Sequence, residues 1–313
     1  MSSRAQILQG IDPILTQKLR MRKTGKYVAE LLLPVIPTMT KVVQLPIAPE
    51  DQFKIYDTIR AAGGSSNIIR PTTATTVTKE LIEHDASYPI DYIEDAISFM
   101  ALRQFGAQAA QDIVRRRYEY DAAALLQNAS NYDSANRIAL STTTCWDNAS
   151  SHPLAQIEVA KTAIFNGCGA EANAIFFDNK SLGAFTQHAD VIARKVYTVF
   201  GSVTRADIAS ITNIKNVIIG SATYKNDAGT AYPIWADSVI VAYIPELNND
   251  EPPSIMNLDA YFGATLRMNS KQIADQWAAP DGKVSYMRYT DVRLPILYQT
   301  SITGAYLIAN TIA

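Results

Sequence analysis

The sequence has few of the residues that build metal sites and disulfide frameworks. Its 313 residues include two cysteines, Cys145 and Cys168, and three histidines, His84, His152 and His188. Two cysteines make no disulfide framework, so we expect a reducing compartment and packed thiols rather than nucleophiles. The histidines do not stand at the spacings that bind zinc. We therefore expect no metal site.

Catalytic motifs and long apolar runs are also missing. No GxSxG, GxGxxG or Walker pattern occurs, and no GKS or GKT follows Gly63 and Gly64. The apolar run at 31–36 contains Pro34 and is too short to span a bilayer. Residues 1–10 lack the apolar core of a signal peptide. We expect a soluble intracellular protein with no catalytic residues and no cofactor, and hence not an enzyme. Because the sequence starts with methionine, we also expect no large cleaved N-terminal scaffolding region.

The charges are nearly balanced, with a formal net charge of -2. Such a chain has no bulk attraction to nucleic acid or to an acidic membrane. Residues 15–26 are locally basic, which indicates either an arm that touches nucleic acid or a neighbouring subunit, or a solvated tether. An acidic group of Glu80, Glu83 and Asp85 surrounds His84. A carboxylate pair for acid–base chemistry is conceivable there, but the pattern favours a solvated flank of a hairpin.

The central prediction is one long helix over residues 89–128. Pro89 suits a first helical turn, and Glu94 and Asp95 place negative charge at the positive end of the helix dipole. The apolar side carries Ala96, Phe99, Met100, Ala107, Ala110, Ile113, Val114, Tyr118 and Leu125. The polar side carries Glu94, Ser98, Gln108, Asp112, Arg115 and Glu119. Such a helix would span roughly 55–60 Å. The alternative is two ordinary helices broken at Gly106.

Three charged residues fall on the apolar side of this helix. Arg117 and Asp121 are four apart and can pair. Arg103 has no such partner, so we expect it to bond to an acidic residue or a carbonyl outside the helix, because a buried unpaired guanidinium is costly. The alternative is that Arg103 lies along the apolar surface with its head in water.

On either side of this helix the composition favours strands. Residues 41–45 and 72–78 are β-rich and are joined through a glycine-rich tip at 61–67, which predicts a long hairpin. From Trp146 helices and strands alternate. We predict helices at 153–165, with Gly167 after its end, at 180–188 and at 204–211, and strands at 137–141, 174–177, 217–219 and 238–243. Residues 265–273 and 284–295 could pair, with 298–308 closing the same sheet.

The order of these segments resembles the major capsid proteins of tailed bacteriophages, which have the Hong Kong 97-like shell fold. The resemblance rests on core and turn residues in a fixed order. They are Trp146, Asp147, Ser151 to Leu154, Ile157, Gly167, Asn173 to Phe177, Phe185, His188 to Val191, Gly201, Thr204, Val217 to Ala222, Tyr224, Trp235, Val239 to Tyr243 and Gly304 to Ile308. Such sequences often have aspartate before the helix-opening proline, where this one has His152.

The resemblance implies an α+β chain of five parts. These are an N-terminal arm (1–36), an E-loop hairpin (37–88), a P domain with the spine helix (89–140), an α/β A domain (141–260) and the C-terminal part of the P-domain sheet (261–313). It also implies self-assembly as hexamers and pentamers into an icosahedral head, with non-specific contact to packaged double-stranded DNA. The resemblance further implies scaffold, portal and decoration proteins as partners. The expected location is the virion, assembly is expected in the host cytoplasm, and no membrane is expected to take part.

Two other functions stay open from the sequence. An encapsulin-type nanocompartment shell shares the fold and would carry a cargo-docking site, and an oligomeric α/β enzyme would carry a pocket with perturbed ionisable groups. Some relatives of the resembled family cross-link a hairpin lysine to a neighbour's asparagine. Lys54, Lys79 and Asn310 match no such motif, so we expect no covalent cross-link.

Overall fold

The computed structural model describes residues 27–47, 55, 58–60, 66–68, 75–97, 102–195, 203–244, 262–298 and 304–312. In these ranges the chain forms two five-stranded sheets and two two-stranded sheets. None of the helices in the described ranges has both the length and the apolarity needed to cross a membrane.

The first half of the chain holds the hairpin and the spine. Its elements are α1 (Ala29–Leu32), β1 (Val35–Pro37), β2 (Val42–Ile47), β3 (Thr75–Glu80), β4 (Ile82–Asp91), α2 (Tyr92–Ile97), α3 (Leu102–Leu126) and β5 (Arg137–Ala139). The second half alternates between helices and strands. Its elements are α4 (Pro153–Cys168), β6 (Ala174–Asp178), α5 (Asn179–Gln187), α6 (Ala189–Lys195), α7 (Arg205–Thr212), β7 (Asn216–Gly220), β8 (Thr223–Lys225), β9 (Ala231–Pro233), β10 (Ser238–Ala242), β11 (Gly263–Arg267), β12 (Ile273–Ala278), β13 (Val284–Leu297) and β14 (Ala305–Ala309).

The predicted helix 89–128 is wrong at its start. Pro89 lies inside β4, where it is paired with Tyr286 of β13. Among the described strands β4 pairs only with β13, so Pro89 sits in an edge strand, where a missing N–H is tolerated. The helical residues then fall into α2 and α3, with 98–101 outside the described residues. The alternative break at Gly106 is also wrong, because Gly106 lies within α3 and is buried.

One sheet, the P sheet, has the order β1-β11-β13-β12, with β4 along the other side of β13. Helix α3 packs on it through a small apolar cluster. The cluster comprises Ile90, Ala107, Ala110, Val114, Ala274, Met287 and Tyr289. The predicted pairing of 265–273 with 284–295 is confirmed, because both β11 and β12 pair with β13. The range 265–273 is not one strand, since a 3-10 turn at Asn269–Lys271 separates β11 from β12.

The other sheet, the A sheet, has the order β5-β14-β10-β6-β7. Strand β10 runs antiparallel to β14 and β6, whereas β5 and β7 run parallel to their neighbours. Both faces of the sheet are covered: Phe177 faces Trp146 and the helix α4 side, and Phe176 faces Trp235 and the end of α3. The prediction that 298–308 closes the P sheet is therefore wrong, since β14 is a central strand of the A sheet.

The helices beside the A sheet follow their local signals. Pro153 opens α4 as predicted, and Thr204 caps α7 with a capping box to Asp207. The predicted end of α4 at Gly167 is wrong, because the helix continues to Cys168 and Gly169 takes the left-handed conformation at φ 71°. Gly169 lacks the Cβ that disfavours this conformation, so the helix ends there.

Candidate assembly surface

The predicted hairpin is present and is rooted in the P domain core. Strands β2 and β3 pair antiparallel, from Val42 opposite Glu80 to Ile47 opposite Thr75. Val43 and Leu45 of β2 are buried against Leu81 and Leu266. The root of the hairpin is therefore fixed to the P sheet, while the predicted tip at Gly63 and Gly64 lies outside the described residues.

The hairpin region exposes apolar side chains to solvent. Met39 is 94% exposed, Ile59 is 86% exposed, and Ile55 and Ile68 are exposed as well. Scattered exposed apolar residues need no explanation, but Ile55, Ile59 and Ile68 all lie between β2 and β3, and their exposure is unfavourable in an isolated subunit. This surface is therefore suited to burial by another chain.

The end of the N-terminal arm at Val28 and Ala29, here called the arm root, is held to the spine helix α3 by a buried carboxylate. Glu119 of α3 accepts hydrogen bonds from the backbone N–H groups of Val28 (3.0 Å) and Ala29 (3.0 Å) and from Trp235 Nε1 (2.6 Å). Burial raises the pKa of Glu119, and the three N–H donors oppose that rise. The carboxylate thus joins the arm root, the spine and the A sheet face at one point.

The sequence placed Glu119 on the polar side of the helix, and that prediction is wrong. Gln111 of the same helix is also buried, whereas Ile113, predicted to be on the apolar side, is 52% exposed. The helix contacts the P sheet along its first half and the A sheet with its last turns, so its buried side changes along its length. A fixed periodicity could not reveal this change.

A second buried network connects the P sheet to α3 and α1. Arg293 donates to Asp291 Oδ2 (2.6 Å) and to the Val114 carbonyl of α3 (2.7 Å). Arg267 pairs with Glu30 of α1 (2.9 Å) and with Asp291 (3.3 Å). These pairs lie on two strands, one helix and the arm root, so each buried charge has an opposite charge beside it. No signal in the sequence brought these residues together.

Arg103 has an acidic partner at the surface. Arg103 Nη2 lies 3.2 Å from Asp95 Oδ2 in α2, and the side chain of Arg103 is 60% exposed. The expectation of a partner outside the predicted helix 89–128 is wrong, because Asp95 lies within that range. The alternative, that the head group reaches water, is confirmed. The predicted pair of Arg117 with Asp121 is present at 2.9 Å.

In the described part of the chain, His152 and His188 contact different partners. His152 Nδ1 contacts Asp190 (2.9 Å), and His188 Nε2 contacts Ser151 Oγ (3.1 Å). Of the acidic group, Glu80 forms an exposed ion pair with Lys41. Among the described residues no three histidine, cysteine or carboxylate side chains are grouped so that they could hold a metal ion.

The two cysteines are free. Cys145 is buried, and its Sγ contacts the carbonyl oxygens of Ser141 and Asn310. Burial raises the pKa of both Cys145 and Cys168, which keeps the thiols protonated near neutral pH. They are packed thiols, as expected.

Comparison with known proteins supports this reading of the architecture. The chain is 29% identical over 303 residues to the major capsid protein of Burkholderia phage BcepMu, covering 97% of both chains. No protein-family model matches the chain. A phage-related protein from Bordetella bronchiseptica has the same fold, with a TM-score of 0.78 at 18% identity over 96% of this chain and 98% of that one.

Two further solved structures share the fold. The capsid of the native GTA particle matches with a TM-score of 0.62 at 11% identity over 93% of this chain and 92% of that one. The SrpI encapsulin of Synechococcus elongatus matches with a TM-score of 0.50 at 8% identity over 99% of this chain and 95% of that one. The fold alone therefore includes encapsulins, and the relative over nearly the full length favours a capsid. The chain is therefore similar in sequence to a phage major capsid protein, and it has the Hong Kong 97-like shell fold that the order of its segments predicts.

Proposed function

We propose that this subunit tiles the icosahedral head of a tailed phage as hexamers and pentamers around double-stranded DNA. The observation that carries the proposal is the hairpin, whose root is buried in the P domain and whose outer part exposes apolar side chains. In the proposed head this part lies over a neighbouring subunit. Its burial there would stabilise the shell by about 25 cal/mol for each Å² of apolar surface removed from water.

The five parts predicted from the sequence are proposed as the units of assembly, with adjustments at three strands. Strand β4 belongs with the P sheet, and strands β5 and β14 belong with the A sheet. The arm is anchored near its end, because Val28 and Ala29 are bonded to Glu119. The residues before this anchor are then proposed to reach a neighbour, and the anchor fixes where they leave the body.

The proposed contact with DNA is non-specific and weak per subunit. The net charge of -2 provides no strong basic surface, so the DNA would be confined by the shell rather than bound by sequence. Scaffold, portal and decoration proteins are proposed partners, assembly is proposed to take place in the host cytoplasm, and no enzymatic step is proposed. The head would be held without covalent cross-links between Lys54 or Lys79 and Asn310.

Imaging of purified assembled protein tests the proposal. Closed particles with rings of six and five subunits are expected, and nuclease-protected double-stranded DNA is expected in particles from infected cells. Particles that contain a protein cargo and no DNA would instead support the encapsulin reading. A subunit that remains monomeric at high concentration would contradict both.

Limited proteolysis tests the hairpin contact separately. We expect cleavage near residues 62–67 in free subunits and protection in particles, because the glycine-rich tip loses most backbone freedom when it is ordered by a neighbour. Equal cleavage in both states would contradict the contact. Denaturing electrophoresis of particles should show a band near 34.3 kDa, and multimers that survive boiling and reductant would show cross-linking.

A further inference from the structure

Trp235 of the A domain and the arm root meet at one buried carboxylate. The Trp235 ring is buried and packs on Phe176 of β6, with 4.5 Å between the ring centroids. Its Nε1 donates to Oε1 of Glu119 (2.6 Å), and the same oxygen accepts from the Val28 N–H (3.0 Å). The other oxygen, Oε2, accepts from the N–H groups of Val28 (3.1 Å) and Ala29 (3.0 Å). The A domain and the arm root therefore share one acceptor group.

The arm side of this contact has no cap of its own. Val28 is the N-cap residue of α1, and its side chain makes no cap hydrogen bond. The first N–H groups of a helix have no partner within the helix, and here the Glu119 carboxylate accepts from them instead. How firmly the arm root is held therefore depends on where this carboxylate points.

The A domain side of the contact is rigid, whereas the Glu119 side chain is not. A glutamate carboxylate stands at the end of a flexible side chain, so its orientation is fixed only when its partners fix it. The indole of Trp235 is a rigid ring, and its packing on Phe176 fixes the direction of its N–H. Trp235 therefore orients the carboxylate toward the arm root.

The buried charge makes Glu119 sensitive to the loss of a donor. Burial raises its pKa, and its N–H donors oppose the rise. Among the described residues, the titratable groups beside it come from the arm: Glu30, which adds to the rise and pairs with Arg267, and Tyr27. The N–H of Trp235 is the contribution of the A domain to keeping this carboxylate ionised.

We propose that Trp235 is a positioning residue through which the A domain controls how firmly the arm is held to the spine helix. While the Trp235 N–H holds the Glu119 carboxylate, both carboxylate oxygens face the arm root. When Trp235 moves away from α3, the carboxylate loses a donor and its fixed orientation, and the arm root loosens. The coupling is reciprocal, so a bound arm root also holds Trp235 in place. It acts within one subunit, and its use in a shell, where the arm reaches a neighbour, rests on the proposed function.

The coupling is tested by removing the Trp235 donor and measuring the arm root. Trp235→Phe keeps an aromatic ring against β6 and removes the N–H. The matched control is Trp146→Phe, because Trp146 is also buried and donates through Nε1, but lies on the opposite face of the A sheet. Amide hydrogen exchange of Val28 and Ala29, followed by NMR on intact free subunits, measures how firmly the arm root is held. Circular dichroism should show that both variants are folded.

Trp235→Phe should raise the exchange rates of the two arm-root amides by about tenfold or more, because a hydrogen bond to a charged group is lost. The Trp146→Phe control should change them by less than about threefold, because it removes no contact of the carboxylate. The effect of Trp235→Phe should be greatest above the pKa of Glu119 and should shrink as the pH falls through it, because the donor stabilises the ionised form more than the protonated form. In a Glu119→Gln background the effect should not vary with pH.

Exchange rates in Trp235→Phe equal to those of the wild type, an equal rise in the control, or a rise that does not change with pH would overturn the inference. If Trp235→Phe does not fold, benzothienylalanine at position 235 keeps the shape of the indole without its N–H and makes the same comparison. Because the measurement uses free subunits, a failed coupling leaves the proposed shell untouched. Subunits that show the coupling and never assemble would overturn the proposed function alone.

Discussion

The buried Glu119 carboxylate permits a quantitative test of how the arm root is held. Glu119→Leu keeps a side chain of similar volume but leaves the N–H groups of Val28, Ala29 and Trp235 without their acceptor. Each orphaned buried donor costs about 1–3 kcal/mol, which gives a sum of about 3–9 kcal/mol. Glu119→Leu also removes the cost of burying a charged group, which offsets several kcal/mol of this sum. We expect a net loss of about 3 kcal/mol in the free energy of unfolding.

Glu119→Gln separates the hydrogen bonds from the charge. Glutamine removes the buried charge and keeps one acceptor oxygen, but its amide N–H group replaces the other oxygen and leaves one of the three donors without an acceptor. The loss for Glu119→Gln should therefore be about 1–3 kcal/mol and smaller than the loss for Glu119→Leu. Burial raises the pKa of Glu119, which means that the wild type gains stability as the pH falls from above the raised pKa toward the ordinary value of 4.5.

Urea unfolding of the free subunit, followed by tryptophan fluorescence, measures these free energies. Gln104→Leu is the matched control, because Gln104 is exposed on the same helix and its change should stay within about 0.5 kcal/mol. A Glu119→Leu subunit as stable as the wild type would refute the reasoning. It would show that the cost of burying the carboxylate cancels its three hydrogen bonds.

Three further predictions concern packing, pH and a surface pair. Gly263→Ala should destabilise the subunit by about 1–3 kcal/mol, because the new Cβ would lie 2.9 Å from a backbone oxygen. The control Gly183→Ala has open space at its Cβ and should not destabilise the subunit. Thermal melts that show no difference between the two variants would contradict this. The pKa of Asp207 is lowered to about 2 by its hydrogen bonds to Lys195 and to the α7 cap, so its contribution to folding stability is present above pH 3.8 and is lost as the pH falls toward 2. The difference in unfolding free energy between the wild type and Asp207→Asn should therefore shrink over that range, and a constant difference would contradict this. Arg103→Leu should change unfolding by less than about 1 kcal/mol, because its pair with Asp95 is exposed, and a larger loss in the free subunit would contradict this.

The sequence by itself determined the features that depend on neighbours along the chain. Pro153 at the start of α4, the Thr204 cap of α7 and the paired strands of the hairpin were all predicted. Each follows from local backbone preferences that need no distant partner. The order of such segments was also enough to indicate the shell fold.

Tertiary structure decided the features that depend on which surfaces meet. The pattern of β14 is a buried apolar run that fits either sheet, and only packing places it between β5 and β10. Pro89 suits a helix start as well as an edge strand, and its pairing with Tyr286 decides between them. Glu119 is polar by type, yet three N–H donors from distant parts of the chain make its burial possible.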